Sequence, residues 1–338
     1  MMLLKLKQGI RIILGVLTGL ALLDLFCAFY YNPTGYVESG TGATDLVREP
    51  GAFTSRATEG IAWARIDANG YNNASAPDEG DIFVLMMGSS HTEALNVMQD
   101  ESASARLEKM LQADGMAGRV YNIGMSSHTL VRNISNFGQA LDAFEPTGYV
   151  VVETADVIMY TSSLMDAQSD ALEPLPVTGV DVPGLLTDRP LMRTLYRQYM
   201  NLTGEEHMEL YADYIPEDTM GRYEAALTDA FTALRAEADA HGVELIIYYH
   251  PHLTLNFDGT ATPQTQTQCL EAFARACAAA DVTFIDMTDV FLEAYTENCI
   301  LPHGFVNTPA GTGHLNCEGH RMVAEALYGE ISAKEAKK

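Results

Sequence analysis

The sequence predicts an α/β fold in which helices cover both faces of a mainly parallel sheet, with one membrane-spanning helix in front. From residue 81 onward, short apolar runs alternate with amphipathic helical patterns, which is typical of parallel strands joined by helical crossovers. The apolar run Ile82–Met87 meets a Gly-Ser-Ser corner, Gly88 to Ser90, where such a strand should end. A separate apolar run near the N-terminus has the length of about 20 residues that a bilayer-spanning helix needs.

The composition narrows the classes of function. The 338 residues suffice for one large domain and a small appendage. A formal net charge of -25 opposes binding to nucleic acid or to anionic lipid. No CxxC pair occurs among the five cysteines, which argues against zinc and thioredoxin-like sites. Disulfides and buried free thiols both remain open, and we expect no metal and no cofactor.

The N-terminal segment predicts a membrane anchor. Lys5 and Lys7 precede an almost wholly apolar run from Ile12 to Tyr31, so the positive-inside rule places the N-terminus in the cytoplasm. Bulky residues from Phe26 onward leave no small-residue cleavage site, which favours an uncleaved signal anchor over a removed signal peptide. The chain is therefore predicted to be a single-pass protein of the cell membrane with its large C-terminal domain outside the cytoplasm.

The remaining domain organisation follows from composition shifts. We expect a cytoplasmic tail at residues 1–7, the transmembrane anchor at 8–31, an extracellular stem with short strands at 32–79, one large domain at 80–333 and a basic tail at 334–338. Residues 160–220 are irregular and rich in Pro, Asp and Met, as in an inserted loop or lid. The large domain carries predicted helices at 130–144, 222–241, 265–280 and 317–331, and predicted strands at 82–87, 119–123, 149–152, 243–249 and 282–285.

Two residue types suggest a nucleophile and its base. Ser90 lies on a turn at the C-terminal end of a strand, where open α/β sheets bind ligands, and backbone N–H groups beside it could receive an oxyanion. His314 lies in a loop before the C-terminal helix and has the pKa range of a general base. A plain tight turn and a surface histidine are the structural alternatives. His320, further into the helix, is better explained as a packing or capping residue.

Four sequence blocks resemble those of the SGNH (GDSL-like) hydrolases. They are Gly88-Ser89-Ser90, Asn122-Ile123-Gly124, the run from Val150 to Asp156, and His314-Leu315-Asn316 followed by Gly319-His320. The resemblance implies a flavodoxin-like three-layer α/β/α sandwich that cleaves or transfers acyl esters. It places the nucleophile on Ser90, the base on His314, and oxyanion donors on the N–H groups of Ser90 and Gly124.

Three positions depart from the family pattern. Ser89 stands where the family usually has Asp, a form that resembles the proteins of teichoic-acid D-alanylation. Ala155 stands where an Asn side chain usually faces the oxyanion, so Thr154 is the candidate substitute. Gly311 stands where the family often has the third triad acid, which leaves a Ser-His dyad or an acid from elsewhere. Losing an oxyanion donor costs about a hundredfold or more, and losing the orienting acid on the order of ten-thousand-fold.

A second resemblance concerns His91. A histidine directly after the Ser-Ser turn resembles the surface-polysaccharide O-acetylation proteins of the alginate type, with Ser126, Ser127 and His128 as alternative partners. We therefore keep Ser89, His91 and Asn316 as accessory candidates beside the Ser90–His314 pair.

These observations predict a serine acyl esterase or O-acyltransferase that acts on acylated envelope polysaccharide. The alternative is a non-catalytic glycan-binding or accessory protein with a degenerate SGNH cleft, partnering a membrane acyltransferase.

Overall fold

The centre of the molecule is a five-stranded parallel sheet. It is seen in a computed structural model that describes residues 2–78, 80–116, 118–155, 157, 189–203 and 215–338. Every neighbouring pair in the sheet runs parallel, as predicted. In spatial order the strands are β12 (Thr283–Asp286), β9 (Glu244–Tyr249), β8 (Tyr149–Thr154), β6 (Ile82–Met87) and β7 (Arg119–Asn122).

Helices cover both faces of this sheet, which confirms the predicted three-layer α/β/α sandwich. Alternate strand residues supply the two cores: Leu85 and Met87 point to one, Val84 and Met86 to the other. The first core is closed by α4 (Leu130–Phe144), α6 (Met220–Ala240) and α7 (Thr267–Ala279), and the second by α3 (Ala103–Ala113), α8 (Thr288–Asn298) and α9 (Cys317–Glu335).

The elements with a strong apolar period match their predicted positions. The bounds of α4 coincide with the prediction, and β8 extends two residues beyond it. The pattern after Ser90 behaves differently: a short α2 (Ser90–Glu93) ends because Ala94 takes a left-handed conformation, with φ at 57°. A short 3-10 helix, Gln99–Glu101, then precedes α3. A hairpin of β10 (Leu253–Leu255) and β11 (Ala261–Pro263), as well as α8, were not predicted.

Residues 31–78 form two small antiparallel sheets that pack against the sandwich. The first joins β1 (Tyr31–Asn32), β4 (Phe53–Arg56) and β5 (Ala62–Arg65); the second joins β2 (Tyr36–Glu38) and β3 (Leu46–Arg48). The buried ion pair between Arg48 Nε and Glu93 Oε1, at 2.7 Å, connects β3 to α2. This segment is therefore part of the folded body around the Gly-Ser-Ser turn.

The N-terminal helix α1 (Met2–Tyr30) directly precedes the first small sheet. Its Leu6–Tyr30 portion has a mean hydropathy of 2.4 and is long enough to cross a bilayer, properties that a signal sequence shares. Near its end, Asp24 Oδ1 accepts the Leu191 N–H of α5 (Pro190–Thr203) at 3.0 Å. Most of the predicted insertion at 160–220 lies outside the described residues.

Candidate active site

The Gly-Ser-Ser turn is fixed by hydrogen bonds at the C-terminal edge of the sheet. Ser89 is the N-cap of α2, and its Oγ accepts the His91 N–H at 3.2 Å. Its own N–H donates to Glu153 Oε2, at the end of β8, at 2.6 Å. Any side chain in place of Gly88 would collide, because a Cβ there would lie 2.1 Å from Thr92 Oγ1. The turn therefore presents Ser90 in one fixed position.

Ser90 and His314 lie within hydrogen-bonding distance, although 224 residues separate them. The distance from His314 Nε2 to Ser90 Oγ is 2.8 Å, and it lies in the range a nucleophile and its general base require. Both residues are partly buried. The two residues selected from the sequence are thus brought together.

The structure also contains an acid that the sequence reasoning missed. Glu59 Oε2 lies 2.8 Å from His314 Nδ1, and Glu59 Oε1 accepts the backbone N–H of His314 at 2.6 Å. One carboxylate therefore holds both the ring and the backbone of the histidine. Ser90, His314 and Glu59 are thus arranged in the order, and at the distances, of the nucleophile, base and acid of a catalytic triad.

Glu59 comes from the loop between β4 and β5, far from the position where the family resemblance places an acid. Gly313, with φ at +83°, leaves the necessary space, because a Cβ there would lie 2.2 Å from Glu59 Oε1. Burial alone would raise the pKa of Glu59, but the hydrogen bonds and charge of His314 outweigh it and lower that pKa. The Glu59 carboxylate is therefore ionised at neutral pH.

The three predicted oxyanion residues differ in their surroundings. Ser90 and Thr154 line a cavity of about 300 Å³ that also contacts Ala155 and His252. The Gly124 N–H, in contrast, donates to Asn122 Oδ1 at 2.8 Å. Gly124 could serve an oxyanion only if this bond were exchanged for one to the substrate. The space beside Gly124 suits glycine alone, since a Cβ there would lie 2.6 Å from the Glu93 nitrogen.

The accessory candidates His91 and Asn316 support the histidine loop. His91 Nδ1 accepts the N–H of Leu315 at 3.2 Å, and the His91 and His314 rings are 5.0 Å apart. Asn316 caps α9 by accepting the N–H groups of Glu318 and Gly319. Neither contact gives His91 or Asn316 a place in the Ser90–His314–Glu59 chain, and each fixes the backbone next to His314.

A buried carboxylate underlies the site. Glu153 accepts the Ser89 N–H on Oε2, and its Oε1 lies 3.0 Å from His250 Nε2. Desolvation would raise the pKa of Glu153, yet the hydrogen bond and charge of His250 lower it. Burying such a charge is costly unless it is paired and hydrogen-bonded, and Glu153 has both kinds of partner. Sequence reasoning gave Glu153 no role, although it directly follows the predicted strand at 149–152.

Three buried histidines near the turn are the group that could hold a metal among the residues described. One nitrogen each of His91, His250 and His303 lies within 4.8 Å of the others. However, His303 Nε2 and His250 Nδ1 are already 3.3 Å apart in a hydrogen bond. His91 accepts at Nδ1, so a neutral ring carries its proton on Nε2 and offers no lone pair there. These contacts, with that of His250 Nε2 to Glu153, occupy both ring nitrogens of His250 and the Nδ1 of His91, which favours hydrogen bonding over metal binding at this cluster.

Comparison with solved structures gives distant neighbours. An acetyl xylan esterase is 13% identical with a TM-score of 0.44, covering 73% of this chain and 98% of the other. A protein assigned to the SGNH hydrolases, from Slackia heliotrinireducens, is 14% identical with a TM-score of 0.41 (74% and 98%). A lipase/acylhydrolase from Enterococcus faecalis is 13% identical with a TM-score of 0.42 (74% and 95%). The neighbours are SGNH-type hydrolases and esterases. No protein-family profile matches the chain, and neither does a curated protein sequence.

Proposed function

We propose that the chain is a membrane-anchored, extracytoplasmic serine acyl esterase or O-acyltransferase that acts on acylated cell-envelope glycan. The observation that carries this proposal is the continuous chain from Ser90 Oγ through His314 to Glu59, with both links at 2.8 Å. Such an arrangement makes a weak hydroxyl nucleophilic, which is the requirement of acyl transfer through serine.

The residues define a reaction in two halves. Ser90 Oγ attacks the acyl carbonyl while His314 Nε2 takes its proton, and Glu59 stabilises the imidazolium that forms. The Ser90 N–H is the proposed donor to the oxyanion, with Thr154 at the cavity wall as the second candidate. Collapse of the intermediate expels the leaving alcohol, which takes the proton from His314 and leaves Ser90 acylated. Water or a glycan hydroxyl then resolves the acyl-enzyme.

The choice of substrate rests on the anchor and on the cavity. A protein anchored by α1 acts on material that stays near the membrane, which favours envelope glycan. The cavity of about 300 Å³ lies at the small end of ligand sites, which suits a short acyl group such as acetyl. Hydrolase and transferase share the first half-reaction, so the acceptor distinguishes them.

The test is covalent labelling of the full-length protein in detergent. A fluorescent alkyl phosphonate should label the wild type, and Ser90→Ala should abolish both labelling and acetyl-ester hydrolysis. Ser89→Ala serves as the neighbouring control and should still be labelled. Equal hydrolysis by wild type and Ser90→Ala, with no label on either, would rule out the serine mechanism.

One observation favours the non-catalytic alternative, an accessory protein that binds glycan or partners a membrane acyltransferase. The Gly124 N–H is engaged by Asn122, and Ala155 carries no amide, so two usual oxyanion donors are missing from the site. Under this alternative, an acetylated glycan oligomer would bind equally well to wild type and Ser90→Ala, with neither protein releasing acetate.

A further inference from the structure

One face of the first small sheet carries three large apolar side chains and lies against the end of the anchor helix. In the register of β4 and β5, Ser55 is opposite Trp63 and Phe53 is opposite Arg65, so Phe53, Ser55, Ile61, Trp63 and Arg65 point to the same side. The last turn of α1 contacts this side. Trp63 Nε1 donates to the Phe29 carbonyl at 3.2 Å, and Ser55 Oγ donates to the Ala28 carbonyl at 2.8 Å.

The large apolar side chains on this face are exposed. Ile61 is 58% exposed, Trp63 40% and Phe53 36%, although each is large and hydrophobic. A contiguous apolar patch marks an interaction surface more often than isolated residues do. We call Phe53, Ile61 and Trp63 the anchor-side patch.

We propose that the anchor-side patch lies in the interfacial layer of the bilayer beside α1, so that the cleft takes its acyl ester from the membrane surface. This inference rests on the proposed function and on α1 spanning the membrane. The substrate that this proposal implies is an acylated glycan or alcohol that its own lipid holds at the bilayer.

The length of α1 places the patch at that depth. The 18 residues from Leu6 to Leu23 span about 27 Å at 1.5 Å per residue, close to the ≈ 30 Å hydrocarbon core. Asp24 then marks the start of the headgroup layer, where its charge is tolerated. Phe29 and Tyr30, whose backbone carbonyls accept the Trp63 and Ala57 N–H groups, lie within about 10 Å of Asp24 along the helix axis. Trp and Tyr concentrate at this level of membrane proteins.

The same contacts bring the catalytic acid close to the membrane. The Ala57 N–H donates to the Tyr30 carbonyl at 2.8 Å, and Glu59 is two residues further on, at most about 7 Å along the chain. The loop of residues 305–307 joins this corner, because Asn307 Oδ1 accepts the Gly60 N–H at 3.0 Å. Its neighbour Val306 is 98% exposed.

The sequence supplies its own probe, since Trp63 is the one tryptophan. Full-length protein is reconstituted in phosphatidylcholine vesicles with lipids brominated near the headgroup end of the acyl chain. We expect brominated lipid to quench Trp63 fluorescence several-fold and acrylamide to quench it less than in the denatured protein. Trp63 emission that acrylamide quenches fully and brominated lipid leaves unchanged would overturn the proposal.

A second measurement uses activity. Ile61→Ser should lower hydrolysis of a vesicle-bound acyl ester on the order of threefold, the effect of losing part of one buried aliphatic side chain, while a soluble acetyl ester is cleaved at the wild-type rate. Val290→Ser removes an exposed aliphatic side chain on α8 and is the matched control, expected to change neither rate. Equal loss on both substrates in Ile61→Ser would contradict a membrane role.

The fluorescence result is independent of catalysis. Ser90→Ala should show the same lipid quenching as the wild type, so quenching without serine labelling would reject the esterase while leaving the membrane face in place. Serine labelling without lipid quenching would support the esterase and reject the membrane face.

Discussion

Glu59 holds His314 by two atoms at once, the ring Nδ1 and the backbone N–H. A two-point contact fixes the tautomer of the imidazole and the position of its loop together. Because both Glu59 and His314 are roughly one-quarter exposed on their side chains, the pair remains in reach of solvent. The contact therefore serves mainly to orient the His314 ring and contributes little to the free energy of unfolding.

Glu59→Gln should reduce kcat for an acyl ester by about 10² to 10⁴, because an amide favours the wrong tautomer of His314. Its melting temperature should stay near that of the wild type. Steady-state kinetics on the purified protein checks this, with Asp258→Asn as an exposed-carboxylate control. A kcat within twofold of the wild type would remove Glu59 from the triad.

Gly313→Ala tests the same contact from the other side. The substitution forces φ of +83° on a residue with a Cβ and places that Cβ 2.2 Å from Glu59 Oε1, so Glu59 must move. We expect kcat to fall about as far as in Glu59→Gln, with a small loss of stability. Gly221→Ala, where a Cβ meets nothing within 4 Å, is the control and should retain full activity.

Part of the candidate site could be predicted from the sequence. Ser90 and His314 were recognisable because each follows a local pattern, a strand-end turn and a loop before a helix. Glu59 was not, because its role depends on a loop in a segment that carries no strong period. The signal that could have found it is negative: Gly311 leaves the usual acid position without a side chain, so a third triad acid would have to come from outside that loop.

The connection between β3 and α2 depends on a buried ion pair. Arg48 and Glu93 are both buried, and Glu93 Oε2 also accepts the Ser126 N–H at 3.0 Å. The positive charge of Arg48 outweighs the desolvation that would raise the pKa of Glu93, and lowers it. This network attaches the N-terminal segment to the loop that forms one wall of the cleft.

Arg48→Met should destabilise the protein by about 3–5 kcal/mol, because it leaves Glu93 buried without its counter-charge. The double variant Arg48→Met with Glu93→Met should recover part of that loss, since the unpaired charge is gone. Urea unfolding of both proteins measures the difference. Arg132→Met, which breaks an exposed pair with Asp45, should cost no more than about 1 kcal/mol. A double variant no more stable than Arg48→Met alone would contradict this account.

Periodicity explains which elements could be predicted. Helix α4 has apolar residues at helical spacing along its whole length, and β6 and β8 are continuous apolar runs in a sheet buried on both sides. Strands β1 to β5 have two to four residues each, too few to show alternation. Their pairing is decided by contacts with α1 and α2 that no short stretch of sequence reveals.

Across the whole molecule, buried and half-buried histidines couple stability to pH. Burial lowers the pKa of His320 to about 3, and that of His128 and His252 to about 4, from an ordinary value of 6.5. Below pH 6.5 these histidines are therefore protonated in the unfolded chain while they stay neutral in the folded protein. Stability consequently falls as pH drops from 6.5 towards 4.

Removing one of these groups should flatten that slope. His320→Gln is expected to reduce the dependence of the unfolding free energy on pH by up to about 1.4 kcal/mol per pH unit between pH 6 and 4.5. His241, whose pKa is raised by its hydrogen bond to Glu237, has the opposite linkage, so His241→Gln should not flatten the slope. Urea titrations at four pH values give both slopes, and an unchanged slope in His320→Gln would contradict the prediction.

The position of Glu59 has a consequence for how the protein can be divided. Residues 80–338 contain the proposed nucleophile, the proposed base and every strand of the central sheet, and look like a self-sufficient unit. A fragment cut there would nevertheless lose the carboxylate that holds His314 and the counter-charge of Glu93 in one step. The smallest fragment that keeps both contacts begins before Arg48, so protein engineering must treat the N-terminal segment and the sandwich as one unit.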